Sequence, residues 1–480
     1  MVSIVILAGG MGTRMNANMP KPLVRFGGCP LIESVITSSL HITPQQIIVV
    51  GSRSLFSHPE WHAIKARMRG MKNVGDVHKL KGSDTLDVLE LGDVSKLEGR
   101  DTLDTLKGEV LELDEVEQSS PLGTGDAVRC ALPKIRAPHV LILHADVPMV
   151  RPELLRRLSE KKEDLIVSII DGRPKPLELV KPSYGRVILE GNVPVDIVES
   201  KNATPEQLDI NTYNAAIYMA SRECLNKCVQ CIKKNEVTGE FYFTDVVRIA
   251  HKKGFSSECA EVSEYEAAGI DTLDDATNFP LQRVLRNRMP GVTFQDASSV
   301  VLSMDTRIEP GTTVGAFNVF GTGVDIGANV TIHPFCVLED CKIDAGCVIG
   351  PFAHIRGGAR ARENAVIGNF VEVKKSTIGA GSKAKHLSYI GDATLGDNVN
   401  VGAGAVFCNY DGKRKNPTRV CDGASIGANT SLVAPLVVGG DAYIGAGSVI
   451  TKDVPDATLA LARAPQVHDA TWVKKRRKRL

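Results

Sequence analysis

A glycine-rich stretch near the start of the chain, LAGGMGTRM at residues 7–15, could bind phosphate groups. It directly follows the apolar run VSIVI at residues 2–6. Glycines after a strand let backbone amides approach phosphate oxygens, and Arg14 and Lys21 would supply the positive charge that a triphosphate needs. A structural turn explains such glycines about as well, so the loop alone leaves both interpretations open.

Further features favour the phosphate cradle. A second glycine turn, LGTG at residues 122–125, opens a helical pattern. Asp146 stands just past the apolar run VLILHA, at the strand end where open α/β sheets bind ligands, and Asp271 could join it. Two carboxylates suit Mg²⁺, which keeps several waters and bridges phosphates. Helix capping is the alternative role for either aspartate.

The last third of the chain carries a histidine and two cations that could serve acyl transfer. Arg356 and Lys374 are separated by three hexads, so on a solenoid of hexad repeats they would stack and could bind one phosphate. His386 lies two hexads further on, on a different face. A histidine with a pKa near the ordinary value of about 6.5 can accept the proton of an amine that attacks a thioester. A surface histidine without function is the alternative.

The elements that must position these residues differ between the two ends of the chain. Apolar residues, nearly all aliphatic, recur every six positions in the last third, often with glycine directly after: Ile343, Ile349, Ile355, Val401, Phe407, Ile426, Leu432, Val438, Ile444 and Ile450. This hexad predicts a triangular parallel β-helix, with small residues permitting the tight turns. At about 18 residues per coil, residues 290–460 predict about nine coils. The period breaks at residues 359–362 and 409–418, where extruded loops are expected.

The first half of the chain has a different pattern. Short β-rich runs at residues 47–50, 140–143, 165–170 and 215–219 alternate with helical segments, which predicts a Rossmann-like α/β domain on a mostly parallel sheet. We expect this domain to span residues 1–271, a linker helix residues 272–289 with Pro280 starting or kinking it, and a tail residues 461–480. Residues 80–117 look like an acidic, polar insertion on the surface.

Composition limits the classes of protein that fit. The 480 residues are 43% hydrophobic with a net charge of +1, which predicts two or three domains and no bulk attraction to nucleic acid. No apolar run reaches the roughly 18 residues of a membrane span, and we expect a cytoplasmic protein. The eleven cysteines fit reduced thiols. Cys224, Cys228 and Cys231 have a spacing that can hold an iron–sulfur cluster, although buried thiols on a helix face are favoured.

The order of motifs resembles a known family. The motifs LAGGMGTRM, PKPL, LGTGDA, HADVPM, YGRV, VES, NAAIY and GID resemble the sugar-1-phosphate nucleotidyltransferases over residues 1–271. With the hexads that follow, nearly the whole chain resembles the bifunctional bacterial N-acetylglucosamine-1-phosphate uridylyltransferase/glucosamine-1-phosphate N-acetyltransferase family. The resemblance implies a nucleotidyltransferase domain followed by a left-handed parallel β-helix.

The resemblance also implies site residues in the first domain. The UTP phosphates would be surrounded by Ala8, Gly10, Arg14 and Lys21, of which Arg14 and Lys21 would stabilise the developing charge, and Leu7 and Gly9 would also bind the nucleotide. Uracil would be read by Gln118, Gly123 and Thr124. Asp146 and Asp271 would hold Mg²⁺, and the sugar would be bound by Gly185, Glu199 and Asn214.

In the β-helix, the resemblance makes His386 the general base. The phosphate of glucosamine-1-phosphate would be held by Arg356 and Lys374, while Tyr389 and Asn400 would orient the sugar and its amine. Acetyl-CoA would be lined by Ala403, Asn409, Tyr410, Ala428, Ala446 and Arg463. Members of this family are homotrimers whose acetyl sites form between neighbouring β-helices.

The implied function is a sequence of two reactions that makes UDP-N-acetylglucosamine, a precursor for peptidoglycan and lipopolysaccharide. Acetyl-CoA would acetylate glucosamine-1-phosphate, and UTP would then give UMP to N-acetylglucosamine-1-phosphate with release of pyrophosphate. Two alternatives stay open: an acetyltransferase with altered or lost nucleotidyltransferase specificity, and a non-catalytic regulatory subunit of the same architecture. The small-molecule substrates are the expected partners, with no nucleic acid.

Several positions depart from the family pattern. Met11 stands where lysine is usual, and His144-Ala145 replaces a tyrosine-glycine pair before Asp146. Asp271 replaces a metal-binding asparagine, which keeps an oxygen ligand and adds negative charge. Ala428 replaces a serine, so one hydrogen bond to the cofactor would be lost. These changes affect the expected rates and sugar preference.

Overall fold

The computed structural model describes residues 1–10, 15, 19–68, 112–173 and 177–477. The chain divides into two compact units, Met1–Val284 and Leu285–Leu480. Within the described ranges, no helix is both long and apolar enough to cross a membrane. All eleven cysteines are free thiols.

The first unit is built on one sheet that is parallel in its centre. In the described part, its strands are β1 (Val2–Ala8), β4 (Gln46–Gly51), β5 (Glu112–Glu117), β6 (His139–His144), β7 (Leu165–Asp171), β8 (Arg186–Glu190), β9 (Val193–Val198), β10 (Thr212–Ser221) and β11 (Ser257–Glu261). The main path runs β11-β7-β10-β6-β1-β4-β5, with β8 and β9 attached beside β10. Only β10 of this path is antiparallel to its neighbours, which are β6 and β7. A separate two-stranded ribbon joins β2 (Arg25–Phe26) to β3 (Cys29–Pro30).

Helices cover both faces of this sheet. The helices of this unit in the described part are α1 (Leu31–Leu40), α2 (Arg53–Phe56), α3 (Pro59–Met68), α4 (Thr124–Ala131), α5 (Pro152–Ser159), α6 (Pro205–Leu208), α7 (Arg222–Cys228), α8 (Asp245–Lys252), α9 (Glu264–Ala267) and α10 (Leu273–Asn278), of which α6 and α10 have no buried residue. Successive residues of β1 alternate between two cores: Ile4 and Ile6 pack on one side, and Val5 and Leu7 on the other. Burial on both faces explains why the strands read as continuous apolar runs.

The predicted insertion is shorter than expected at its C-terminal end. Residues 80–111 lie outside the described residues, but 112–117 form the edge strand β5, which pairs in parallel with β4. The prediction that the insertion reaches residue 117 is therefore wrong. Four acidic residues in ELDEVE obscured the strand, yet an edge strand tolerates charges, and Val116 between them is buried.

The expected linker region contains two short helices. After α10, a second helix, α11, spans Leu281–Asn287 and begins directly after Pro280. Pro280 cannot donate a hydrogen bond, and its ring fixes its own backbone angle, so it fits between helices better than inside one. The sequence predicted one helix over 272–289 that Pro280 would start or kink.

The second unit is a β-helix with three parallel sheets. The first sheet contains β12 (Thr293–Phe294), β14 (Thr313–Val314), β17 (Thr331–Ile332), β20 (Val348–Ile349), β23 (Val366–Asn369), β26 (Lys383–His386), β29 (Asn400–Val401), β32 (Ser425–Ile426), β35 (Tyr443–Ile444) and β37 (Leu459–Ala460). The second contains β13 (Arg307–Ile308), β16 (Val324–Ile326), β19 (Cys341–Ile343), β22 (Ala359–Ala361), β25 (Thr377–Ile378), β28 (Ala393–Leu395), β31 (Thr418–Val420) and β34 (Leu436–Val438). The third contains β15 (Val319–Phe320), β18 (Val337–Leu338), β21 (His354–Arg356), β24 (Glu372–Lys374), β27 (Tyr389–Gly391), β30 (Val406–Cys408), β33 (Ser431–Val433) and β36 (Val449–Ile450).

The hexad residues point inward, as the period predicts. Ile343, Ile349 and Ile355 are fully buried, and each belongs to a different sheet. Each strand pairs with the third strand after it in the chain, so a turn of three hexads makes one coil. The fold is therefore a left-handed parallel β-helix of hexapeptide repeats.

One of the two predicted loops is absent. Residues 359–361 form β22, with Ala359 and Ala361 buried, so the coil continues through this segment. Alanine fills the inward position that an aliphatic residue fills elsewhere, which the sequence pattern did not reveal. The second loop is present, because Leu395 pairs with Val420, which lies more than three hexads further along the chain. The additional residues of that coil lie between β30 and β31.

An exposed column of aromatic rings runs along one corner of the β-helix. Phe317, Phe335, Phe352 and Phe370 stack face to face, with ring centroids 5.0 to 5.1 Å apart. We call these four residues the phenylalanine ladder. Each is 45 to 55% exposed, and Leu387, also exposed, follows in the next coil. The chain ends in an exposed segment with a short helix, α12 (Trp472–Arg477).

Candidate active sites

Three of the predicted residues in the first unit meet at the end of β1 and β6. The Lys21 ammonium contacts a carboxylate oxygen of Asp146 and lies 2.7 Å from Asp271 Oδ1. The backbone holds the two aspartates together, since Ile270 N donates to Asp146 O at 2.9 Å. Burial alone would lower the pKa of Lys21, but the two carboxylates outweigh it and raise that pKa.

The two carboxylates are suited to hold one cation. Their oxygens already converge on a single ammonium, and carboxylate oxygens are the ligands that Mg²⁺ prefers. Among the described residues, no group of three or more His, Cys, Asp or Glu could hold a metal ion. A divalent ion here would therefore take two carboxylates from the protein and complete its shell with phosphate oxygens and water.

A second lysine, which sequence reasoning missed, supports the same carboxylate. Lys181 Nζ lies 3.2 Å from Asp271 Oδ2 and 2.7 Å from Asp275 Oδ2. Asp275 in turn accepts hydrogen bonds from the backbone N–H groups of Asp271 and Thr272 at 2.8 Å. Burial would raise the pKa of Asp271, but Lys21 and Lys181 together lower it to about 2. No motif contains Lys181, so the sequence offered no signal for it.

The glycine loop begins where the sequence predicts. Leu7 and Ala8 end β1 and are buried, and Gly9 and Gly10 follow at the carboxyl end of the strand. Gly9 lies against the side chain of Gln118, because a Cβ atom at Gly9 would be 2.8 Å from Gln118 Oε1. Residues 11–14 are outside the described residues, so the predicted roles of Met11 and Arg14 are not addressed by the structure.

The second glycine turn opens α4 as predicted. Gly123 has a φ of +99°, and a Cβ atom there would be 2.6 Å from the carbonyl oxygen of Phe241. Only glycine fits both the backbone angle and this close approach. The Thr124 hydroxyl accepts a hydrogen bond from Phe243 N at 3.0 Å. These contacts fix the turn beside Gln118, which donates to Gly123 O at 3.1 Å.

The predicted sugar residues lie on β8, β9 and β10 or directly beside them. Asn214 N donates to Gly185 O at 2.9 Å, and the Glu199 carboxylate accepts from Thr244 Oγ1 at 2.9 Å. Burial raises the pKa of Glu199. The pairing of β10 with β7 shifts register after Asn214, whose side chain exchanges hydrogen bonds with Tyr218. Tyr218 was not predicted from the sequence.

The unusual pair before Asp146 is part of this site. His144 ends β6, and burial lowers its pKa, so a neutral imidazole is favoured there. Ala145 N donates to Leu7 O at 3.0 Å, which links the pair to the glycine loop. Both residues therefore lie where they can influence a ligand at Lys21.

In the second unit, Arg356 and Lys374 stack as predicted. They are register partners in neighbouring strands of the third sheet. Arg356 Nη2 also contacts Glu372 Oε1 at 2.5 Å, so this carboxylate offsets part of the charge. The stack presents two cations from adjacent coils on one face, which suits a phosphate group.

Lys415 adds a third cation that the sequence analysis did not identify. It lies in the loop between β30 and β31, where Asp411 accepts from the backbone N–H groups of Lys413 and Arg414. A single antiparallel β-bridge pairs Tyr410 with Lys415 across the loop. The neighbouring positive charge of Lys415 lowers the pKa of Lys374. Two ammonium groups this close repel each other, and an anion between them would relieve that repulsion.

His386 ends β26 in the first sheet and is exposed. Its Nδ1 lies 2.8 Å from Asn369 Oδ1, and Asn369 is its register partner in the coil before. Asn369 has its amide oxygen toward the ring, and in a neutral imidazole this orientation assigns the proton to Nδ1 and the lone pair to Nε2. This arrangement leaves Nε2 able to act as a base. Asn369 is a further residue that the sequence analysis missed.

The predicted coenzyme residues include one column of the β-helix. Ala403, Ala428 and Ala446 hold the position of His386 in the three coils that follow, as the register of the first sheet requires. Arg463 Nη1 donates to Ala446 O at 2.8 Å at the far end of the column. A strip of small side chains therefore runs from the histidine to a guanidinium.

The remaining predicted residues lie around this column. Asn400 is in β29 of the first sheet, and Tyr389 is in β27 of the third. Asn409 Nδ2 donates to Tyr389 Oη at 3.3 Å and to Asp392 Oδ2 at 2.5 Å. Tyr410 is 62% exposed in the loop. The structure thus joins Asn409 to Tyr389. Among the described contacts, none joins Asn400 to the three cations Arg356, Lys374 and Lys415.

The three cysteines considered for an iron–sulfur cluster lie on α7 and the turn after it. Cys224 and Cys228 are buried with their sulfur atoms 3.9 Å apart, and Cys231 is exposed. This placement agrees with thiols on a helix face.

Comparison with known families and proteins gives matches in both units. Residues 4–79 match the MobA-like NTP transferase domain, and residues 305–340 match the bacterial transferase hexapeptide (six repeats). The bifunctional protein GlmU of Thermodesulfovibrio yellowstonii is 36% identical over 99% of this chain and 100% of its own length. Those of Paramagnetospirillum magneticum and Jannaschia sp. are 34% and 33% identical over 99% and 100% of this chain, and each is covered over 96%.

A solved structure, the inositol-1-phosphate CTP transferase from T. maritima, is 15% identical with a TM-score of 0.37. The match covers 57% of this chain and 90% of that protein.

Proposed function

This chain belongs to the family of bifunctional GlmU proteins, and from that membership we infer that it is a bifunctional enzyme of UDP-N-acetylglucosamine synthesis. It acetylates glucosamine-1-phosphate with acetyl-CoA and transfers a uridylyl group from UTP to N-acetylglucosamine-1-phosphate. The observation that carries this inference is similarity along the full length, which includes both the nucleotidyltransferase unit and the hexapeptide unit. It favours a catalyst over a regulatory subunit of the same architecture.

We propose that the second unit carries the acetyl transfer, with His386 as its base. The amine nitrogen of glucosamine-1-phosphate attacks the thioester carbonyl carbon and its proton passes to His386 Nε2. The C–S bond then breaks, and the thiolate of coenzyme A leaves and takes up that proton from the imidazolium. The contact of Nδ1 with Asn369 Oδ1 supports this role, because an acceptor at Nδ1 favours the tautomer that leaves the Nε2 lone pair free. No covalent enzyme intermediate is needed.

Binding of the acetyl-transfer substrates would use both sides of His386. Arg356, Lys374 and Lys415 would hold the sugar phosphate, and Tyr389 with Asn400 would orient the sugar. Coenzyme A would lie along the alanine column from Ala403 to Arg463, next to Asn409 and Tyr410. The small side chains of the column support this placement, since they leave room for an extended ligand. Ala428 offers no hydroxyl group to it.

We propose that the first unit carries the uridylyl transfer. A phosphate oxygen of the sugar attacks the α-phosphorus of UTP, and pyrophosphate leaves. Lys21, together with Arg14, would neutralise the developing charge on the phosphates. Asp146 and Asp271 would hold Mg²⁺, which supplies a Lewis acid for the phosphate oxygens. Gln118, Gly123 and Thr124 would contact the base, and Gly185, Glu199 and Asn214 the sugar.

The neighbours of Asp146 support a second version of this proposal. His144 and Ala145 replace the usual tyrosine and glycine at the site of Lys21, so the first unit could accept another sugar phosphate or have lost its activity. Acetyl transfer would remain the principal reaction in that case. Its test is a comparison of gluco- and galacto-configured acceptors.

We further propose that the protein is a cytoplasmic homotrimer. The exposed phenylalanine ladder supports an assembly of this kind, because four stacked rings form an apolar patch that monomers rarely leave in water. The ladder ends beside the His386 column, since Phe370 follows Asn369 directly. A neighbouring β-helix packed on the ladder would therefore border the acetyl-transfer site.

The test is to assay each half-reaction on the purified full chain. Release of coenzyme A from acetyl-CoA and glucosamine-1-phosphate reports on the second unit, and release of pyrophosphate from UTP and N-acetylglucosamine-1-phosphate on the first. His386→Ala should lower only the release of coenzyme A, by about 100-fold or more. Asp146→Ala should lower only the release of pyrophosphate. The exposed His333 gives the matched control, His333→Ala. Unchanged rates in the two variants would reject the assigned residues.

A further inference from the structure

The side-chain amide of Gln118 is held in one orientation by two acceptors. Its Nε2 donates to Gly123 O at 3.1 Å and to Asp126 Oδ2 at 2.9 Å. A carbonyl and a carboxylate cannot donate, so the flipped amide would place oxygen against oxygen at both contacts. The orientation of this amide is therefore determined by chemistry.

The fixed amide presents an acceptor to the glycine loop. Gln118 is only 8% exposed, and its Oε1 lies against Gly9, 2.8 Å from where a Cβ atom would stand. Gly9 is the first glycine after β1, at the strand end where an open α/β sheet binds its ligand. A base that stacks over this loop and reaches Gln118 would meet an oxygen atom with a lone pair.

The other described ion pair of the Asp126 carboxylate is weak. Its Oδ1 is 3.8 Å from Arg129 Nη1, a long contact, while the Arg129 guanidinium lies over the ring of Phe241 at 4.6 Å. Asp126 also lies in the first turn of α4, where a carboxylate is favourable. The hydrogen bond to Gln118 is thus its closest described side-chain contact.

The polarity of this amide distinguishes pyrimidine bases. Uracil carries a hydrogen on N3 and can donate to a carbonyl oxygen, whereas N3 of cytosine has a lone pair and would be repelled by it. A site built to accept a hydrogen bond discriminates strongly against a ligand that cannot donate one.

We propose that Asp126 is a positioning residue that makes the first unit select uracil over cytosine nucleotides, by holding the Gln118 oxygen toward the base. This inference rests on the proposed uridylyl transfer and adds the origin of its base specificity. Asp126 does not touch the nucleotide itself. Its effect is on the orientation of the amide that does.

The experiment compares pyrophosphate release with UTP and with CTP, using N-acetylglucosamine-1-phosphate as the acceptor and the full chain. In Asp126→Ala, the ratio of kcat/KM for UTP to that for CTP should fall about tenfold, because one acceptor that fixes the amide is lost. In Asp126→Asn, an amide oxygen can still accept, so the ratio should stay within about threefold of wild type. Glu223→Ala, which removes an exposed acid from the first turn of α7, is the matched control and should change nothing.

The ratio is measured within one preparation, so a loss of folded protein cancels from it. An unchanged ratio in Asp126→Ala would overturn the proposal, as would an equal loss for both nucleotides. A fall in Asp126→Asn as large as that in Asp126→Ala would also overturn it, since charge and not hydrogen bonding would then be responsible. Absence of any uridylyl transfer in the wild-type chain, with acetyl transfer intact, would instead reject the proposed function of the first unit.

Discussion

At the scale of single residues, the first site is defined by charge pairs between distant parts of the chain. Lys21 joins Asp146 and Asp271, which are 125 and 250 positions away. Each of the three was identified from its own motif, because phosphate and metal chemistry restrict the residue types. Lys181 escaped prediction because its carboxylate partners, Asp271 and Asp275, are 90 and 94 positions away, and no local pattern marks such a residue. Asp275 is only four positions from Asp271, but its local pattern with Thr272 indicates a helix cap and not a site.

Glu199 combines a proposed role in sugar binding with a cost in stability. Burial raises its pKa, so the folded protein disfavours the charged form. Glu199→Gln should therefore increase the melting temperature at pH 7 to 8 while it lowers uridylyl transfer. The gain should disappear as the pH falls below the ordinary glutamate value of about 4.3, where the carboxyl is protonated in folded and unfolded protein alike.

Thermal denaturation of both proteins from about pH 3 to about pH 8 measures this effect. Glu206→Gln, at an exposed helix start, is the control. A melting temperature for Glu199→Gln that lies below that of wild type at pH 8 would contradict the prediction.

Lys415 is expected to contribute to phosphate binding in the second unit. Lys415→Ala should raise KM for glucosamine-1-phosphate by about tenfold, because the substrate phosphate would lose one charge-assisted hydrogen bond. We expect little change in kcat. Release of coenzyme A at varied sugar phosphate concentrations measures both constants. Lys413→Ala, in the same loop and exposed, should leave KM unchanged. Equal KM values for all three proteins would show that the loop cation does not reach the substrate.

At the scale of elements, the hexad period predicted the β-helix well because each inward position accepts few residue types. The period could not reveal β22, since alanine is small enough to face inward without looking like a core residue.

The sequence analysis expected the glycines of the β-helix to permit tight turns, and the structure gives a different reason at two of them. At Gly402 and Gly427, a Cβ atom would lie 2.4 to 2.5 Å from a backbone nitrogen of the next coil, so close stacking requires them there.

Close stacking makes a strong prediction at Gly379. A Cβ atom there would be 1.9 Å from Gly396 O, which is a backbone atom that cannot move without breaking the coil. Gly379→Ala should destabilise the second unit by about 3 kcal/mol or more. Gly358 has a positive φ but open space around it, so Gly358→Ala should cost only about 1 kcal/mol.

Urea unfolding followed by circular dichroism compares the two variants. A Gly379→Ala protein as stable as Gly358→Ala would mean that neighbouring coils can separate more easily than their hydrogen bonds suggest.

At the scale of the whole molecule, composition and motif order predicted two units of different architecture, and the structure contains both. The edge of the insertion was misjudged because acidic residues on a sheet edge resemble those of a loop. The phenylalanine ladder could not be derived from the sequence, since each of its residues belongs to a different coil and the rings align only once the coils exist.

The phenylalanine ladder provides the test of assembly. Replacing Phe335 and Phe352 together by glutamate should convert the proposed trimer to monomers, because charged side chains cannot be buried against a neighbour without a partner. Acetyl transfer should fall at least about tenfold, while uridylyl transfer should be retained. Sedimentation velocity measures the mass, with Val437→Glu on the second sheet as the control. A wild-type chain that sediments as a monomer would contradict the prediction.

The near-constant register of the coils also limits how this unit can change in length during evolution. An insertion or deletion of one complete coil would shift all later coils along the helix axis by about 4.8 Å without rotating them about that axis. A change of one hexad within the coils that bear the ladder would instead rotate His386 by a third of a turn relative to the phenylalanines below. Gene duplications that preserve the reaction should therefore arrive in whole coils, whereas shorter changes should be confined to loops such as the one that carries Lys415.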